Sequence, residues 1–132
     1  MIEKLPSLAC ALGLLTSPLA ADGAQRGQIL FERHCATCHG MDLSGQGPMW
    51  GVLMIKPTDL VGLTEREGDF PLDPVITRTD GQDPFVRHGS PMPVYGPFFE
   101  RLVQKVGLPD GREMQTGITL LDIVAYLQAH QR

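Results

Sequence analysis

Aromatic side chains are few in this chain: one Trp, two Tyr and five Phe among 132 residues. Against them stand 15 Gly and 11 Pro, so loops are expected in quantity and apolar material for a core is modest. An apolar body other than the protein's own side chains would make up the difference. An excess of positive charge is also missing, since 11 Lys and Arg face 15 Asp and Glu for a formal charge of −4. That balance argues against nucleic acid as a partner and favours basic or neutral ones. No internal repeat or low-complexity tract appears, and the length suits one compact domain. The apolar run from Leu5 to Ala21 falls short of the ~20 residues a spanning helix needs, and Pro6 and Pro18 interrupt it.

That run follows Lys4 and is closed by Asp22, the form of an export signal. Residues 1–21 are therefore expected to be a cleaved signal peptide, and 22–132 the exported domain. Cleavage after Ala21 or after Ala20 leaves an imperfect small-residue site, with Leu19 or Pro18 third from the cut. Cysteine is scarce as well, three in all, and Cys10 lies inside the signal and would leave with it. A lipid anchor on Cys10 is the alternative, weakened by the few apolar residues upstream of it. The exported domain then holds only Cys35 and Cys38.

Those two belong to Cys35-Ala36-Thr37-Cys38-His39, a C-x-x-C-H pattern that reads as a c-type haem attachment site. Two thiols three positions apart reach the two vinyl groups on one edge of a porphyrin, and the adjacent His offers the iron its proximal nitrogen. Attachment needs reduced thiols and free haem outside the cytoplasm, in agreement with export. Other readings of the Cys pair are weaker. A redox dithiol belongs at a strand-to-helix turn, and no clear strand precedes Cys35. Structural zinc needs four ligands, and no second Cys pair exists to complete a set with His34 and His39. A disulfide between Cys35 and Cys38 would close a very short, strained loop.

Around this motif the sequence resembles the class I c-type cytochromes, small bacterial single-haem proteins, over essentially the whole exported part. The resemblance implies an all-α fold whose N- and C-terminal helices pack together around one covalently attached haem, with a loop-rich middle. Gly27, Phe31 and Cys35 recur at four-residue steps, which puts the first two on one face of a helix from about Gln25 to His34. Its partner is expected from Leu120 to about His130, where Leu120, Ile123, Val124 and Leu127 form an apolar stripe. Tyr126 is the expected packing aromatic, and Thr119 with Asp122 fits a capping box. Lys56-Pro57-Thr58-Asp59-Leu60-Val61-Gly62-Leu63 resembles the P-x-D-L-T-x-L stretch of many bacterial members, from which Val61-Gly62 departs, with Thr58 a candidate N-cap. Asp73-Pro74-Val75-Ile76 reads as a helix start, and Gly111 to Gly117 as loop.

Met92 is the candidate sixth ligand, because Pro91 and Pro93 fix the backbone around a flexible thioether and the family's distal Met also precedes Pro. His88 is the second candidate and would give a bis-His iron. By resemblance, Pro48 supplies the backbone carbonyl that accepts the other N–H of the His39 ring, which orients the ring. Trp50 and Tyr95 each join an apolar body to a polar donor, suited to lining the pocket and bonding a haem propionate, or to plain packing.

With His39 and Met92 both on the iron, the implied function is not catalysis. It is one-electron transport in the periplasm, between redox partner proteins. A subunit held permanently by a periplasmic dehydrogenase or oxidase is one alternative. A haem enzyme or gas sensor with an open distal site is another. The protein is expected to be a monomer or part of a redox complex, with no membrane span after cleavage.

Overall fold

The computed structural model describes residues 18–85, 89–99 and 102–132. The signal run up to residue 17, with Cys10, and the alternative ligand His88 lie outside the described residues. The elements are α1 (Pro18–His34), α2 (Ala36–His39), α3 (Leu63–Glu67), α4 (Leu72–Asp80), α5 (Gly96–Phe99), β1 (Val103–Gly107), β2 (Glu113–Gly117) and α6 (Ile118–Ala129).

α1 begins at Pro18, ahead of the start expected near Gln25. Proline suits a first helical position, where its missing N–H would have had no intrahelical partner. Asp22, one turn further on, pairs with Arg26 and adds an i,i+4 contact to the same helix. Across from it, α6 is apolar nearly all round, as its buried Leu120, Ile123, Val124, Tyr126 and Leu127 show. The two helices form the main contact of the fold.

The crossing point is Gly27. A Cβ there would stand 1.9 Å from the backbone oxygen of Asp122 and 2.9 Å from Tyr126 Cβ, so backbone meets backbone with no side chain between. One turn later Phe31, 1% exposed, packs its ring 5.4 Å from that of Tyr126. Arg26 straps the crossing from outside: Nε and Nη2 donate to the two Asp122 oxygens at 2.8 and 2.9 Å. Those bonds hold the guanidinium pKa above its ordinary value. They also explain why the expected capping box is absent. Asp122 is committed to Arg26, and α6 starts at Ile118 behind Gly117, with no side-chain cap.

α4 packs against α6 and delivers Ile76, which is fully buried, while the hydroxyl of buried Thr79 donates to Val75 O at 2.7 Å and so leaves no polar group stranded. Pro74 falls in its first turn, as the sequence suggested. Two other local expectations fail. No helix begins at Thr58, because the Asp59 carboxylate accepts the Val61 N–H at 3.0 Å and turns the chain instead; α3 starts at Leu63. Residues expected as loop supply β2, which pairs antiparallel with β1 from Val103 opposite Gly117 to Gly107 opposite Glu113. The signal is a short polar alternation in which Met114 is half-buried and Thr116 buried while Glu113 and Gln115 face water. The fold is therefore mostly helical with one small hairpin. No helix among the described residues is long and apolar enough to cross a membrane.

An Ala in a helix normally gains ~1 kcal/mol over Gly, and overpacking costs about 1–3 kcal/mol. Because the obstacle at Gly27 is backbone, Gly27→Ala should lower unfolding stability by about 2 kcal/mol, near the top of that range less the propensity gain. Gly51→Ala, where a Cβ meets nothing within 4 Å, should leave the denaturant midpoint unchanged. Equal midpoints for the two variants would show that the helices do not meet at Gly27.

Candidate functional site

α1 ends at His34 and α2 begins at Ala36, so Cys35 sits at the joint. Its N–H bonds to Phe31 O at 2.8 Å, and its carbonyl accepts from Cys38 N at 3.1 Å and His39 N at 2.9 Å. One tight turn therefore carries both cysteines and the histidine. Both cysteines are free. Cys35 packs into the core with Phe31 and Ala36, and burial, followed by the nearby Cys38, pushes its thiol up to about 12.

The chain after His39 folds back on α2. Gly45 N bonds to His39 O (2.8 Å), Gly47 N to Cys38 O (3.0 Å) and Met49 N to Thr37 O (3.0 Å). The approach is close enough that a Cβ on Gly47 would lie 2.6 Å from the carbonyl oxygens of Ala36 and Thr37. Pro48 and Trp50 sit in this flap, both exposed. Lys56 stands over the Trp50 indole, Nζ 4.1 Å from the ring centroid, and donates to Trp50 O at 2.7 Å.

His39 Nδ1 lies 3.2 Å from Thr58 O. A carbonyl can only accept, so Nδ1 carries the proton and Nε2 presents the lone pair. This corrects the expectation for Pro48: its flap is turned towards the α2 carbonyls, while the Pro57–Leu60 stretch runs alongside, with Leu60 N bonded to Leu43 O at 2.8 Å. Thr58 is therefore the residue whose carbonyl reaches the ring. Burial lowers the His39 pKa and the Thr58 bond partly opposes it. The neutral imidazole, the form that binds metal, is favoured.

Tyr95 closes the other side. Its hydroxyl donates to His34 O at 2.7 Å and its N–H to Thr79 O at 2.7 Å, and its ring stacks on Phe99 at 5.5 Å. Burial first, then the charges of Cys35 and Cys38, raise its phenol pKa. Met92 is half-buried, its N–H donating to Ser90 Oγ at 3.2 Å. No hydrogen bond joins Met92 to the motif; the chain to Tyr95 is its link. The structure thus gathers Cys35, Cys38, His39 and Tyr95 at one end of α1 and places Pro48 and Trp50 on the α2 flank.

Covalent haem fits this donor set: two free thiols at thioether spacing beside a neutral imidazole whose far nitrogen is already engaged. Apolar side chains in the chain that follows the motif are also uncovered, among them Met49, Trp50, Val52 and Ile55. A partly open cavity lined by Tyr95, Phe99, Thr116 and Leu120 measures about 50 Å³ and is far too small for a porphyrin. A groove of about 340 Å³ beside Arg26, Ile29 and Asp122 lies on the outer side of the helix crossing, away from the thiols.

The cytochrome c family model matches residues 24–110, and the chain belongs to that family. It is a c-type haem electron carrier, with one or more redox proteins as partners, and its haem is bound covalently. No individual curated protein and no solved structure matches the chain. The matched stretch contains the whole candidate site, while β2 and α6 lie beyond it.

Thr58, the His34 carbonyl and Lys56 were not singled out for these roles by sequence reasoning. The first two act through backbone oxygens, which every residue possesses. Tyr95→Phe keeps the stacked ring and removes only the bond to His34 O. It should cost about 1 kcal/mol, read as a lower denaturant midpoint at unchanged helix content, and an unchanged midpoint would show that the tether carries no energy.

Proposed function

We propose that haem is attached through Cys35 and Cys38, that His39 and Met92 are its axial ligands, and that the protein is an exported one-electron carrier of the periplasm. The observation that carries this reading is the His39 ring, neutral and pinned at Nδ1 by Thr58 O, directly beside two free thiols. When bound, the haem supplies exchange between Fe(II) and Fe(III). The protein's own residues prepare for it. The Thr58 carbonyl orients His39 and raises its basicity as a ligand. Tyr95, held at both ends, anchors the stretch that presents Met92, and Pro91 and Pro93 narrow the conformations open to that thioether. Trp50 and Tyr95 supply apolar faces for the macrocycle.

A His/Met pair leaves no iron position for a substrate, which supports transport over catalysis, and Met ligation favours a relatively positive potential. Periplasmic location is supported by the signal-like residues 1–21 and by a Cys pair that must be reduced where it meets haem. A formal charge of −4 suits brief encounters with basic or neutral partners. Exposed Phe98 and Leu102, at 64% and 68%, favour a second reading, a subunit kept bound to a periplasmic dehydrogenase or oxidase. Co-purification of a partner at stoichiometric amounts would select it.

Met92→Ala should abolish the long-wavelength ferric absorption of a Met-bound haem and let the ferrous protein take up carbon monoxide. If the parent already binds carbon monoxide readily and the variant's spectrum is the same, Met92 is not the ligand. Replacing Cys35 and Cys38 together by Ser should leave haem extractable into acidified organic solvent, whereas the parent retains it.

A further inference from the structure

Gln131, near the end of the chain, lies beyond the residues matched by the family. Its Nε2 donates to Leu127 O and Leu60 O, each at 2.8 Å, and its Oε1 accepts from Thr64 N at 3.0 Å and Thr64 Oγ1 at 3.2 Å. A residue that merely finished α6 would need only the Leu127 bond. The other three cross to the 60–64 segment. Arg132 adds its N–H to Val61 O at 3.1 Å and a guanidinium bond to Asp59 at 2.8 Å, and Arg66 donates to Asp59 O at 2.6 Å.

Asp59, bound by Arg132 and Arg66, joins this clamped stretch to Thr58, whose carbonyl holds His39 Nδ1. On its inner side the stretch is tied to the Leu43 carbonyl through Leu60 N. Leu43 is buried with φ 62°, a left-handed conformation that a leucine keeps only when its surroundings impose it. The loop that supplies the acceptor is thus held from two sides, by Leu43 within and by the end of α6 without.

We propose that Gln131 is a positioning residue for the axial histidine: by clamping residues 60–64 to the end of α6 it sets the Thr58 carbonyl against Nδ1 and so tunes the iron's reduction potential. This rests on His39 being the proximal ligand. A firm Nδ1–H···O bond gives the ring more imidazolate character and stabilises Fe(III). Loosening it favours Fe(II).

The test uses the haem-loaded protein. Gln131→Ala removes all four bonds, and Gln131→Glu keeps the acceptor for Thr64 while losing both donors. The midpoint potential should move positive and the His39 ring N–H should exchange faster with solvent in the Ala variant, with Glu intermediate. If Gln131→Ala yields too little folded protein, the Glu variant alone should still show both shifts. A fall in melting temperature with potential and ring exchange unchanged would overturn the proposal and leave Gln131 as a helix-end stabiliser. A parent His39 ring proton without a haem-induced shift in nuclear magnetic resonance would instead remove the ligand assignment itself, whatever the variants do.

Discussion

Everything in this molecule is referred to the place where the backbone of α1 touches that of α6. Gly27 lets Asp122 O approach to a distance that any side chain would forbid, and the consequences run in both directions along the helices. Towards the end of α1, Phe31 is set against Tyr126, and Cys35 emerges in the core with its N–H already bonded to Phe31 O. Towards the end of α6, Leu127 and Gln131 arrive beside the 60–64 loop. A wider crossing would separate the attachment turn from the segment that orients its histidine. Apolar burial drives the contact, and Arg26, with 50% of its side chain exposed, adds direction more than energy.

Two tethers then converge on the attachment turn from opposite parts of the chain. Tyr95 reaches His34 O from the α4–α5 side, and Thr58 O reaches His39 from the loop held by the C-terminal tail. Each joins a main-chain oxygen to a side chain: His34 O takes the Tyr95 hydroxyl, which fixes the backbone before the motif, and Thr58 O takes the His39 ring itself. That is a rigid way to mount a cofactor whose electron transfer depends on little rearrangement around the iron. Charged pairs brace this frame from its surface. Asp59 gathers Arg66 and Arg132, Asp73 takes Arg112, and both clusters pin loops to helices at the periphery.

The helical scaffold was legible in advance to the extent that its signals are local. Gly27 and Phe31 at a four-residue step, the apolar stripe of α6 and the proline of α4 each follow from helical geometry alone. The misreadings occur where a side chain had a choice of partner. Asp122 could have capped α6 and instead binds Arg26; Thr58 could have started a helix, but Asp59 turned the chain first. The hairpin was missed because Glu113 to Thr116 is short, polar and without the β-branched run that marks most strands.

By itself the sequence determined the chemistry available to this protein. Thiol spacing, the adjoining imidazole and a methionine between prolines are properties of neighbouring residues and survive any folding of the rest. Only the tertiary structure decided which carbonyl holds the imidazole, Thr58 and not Pro48, and which hydroxyl secures the start of the motif. The physical reason is that a backbone oxygen is the same group at every position. Nothing in a string of residues distinguishes one carbonyl from another until packing at Gly27, the flap from Gly45 to Met49 and the clamp at Gln131 have brought one of them within reach of the ring.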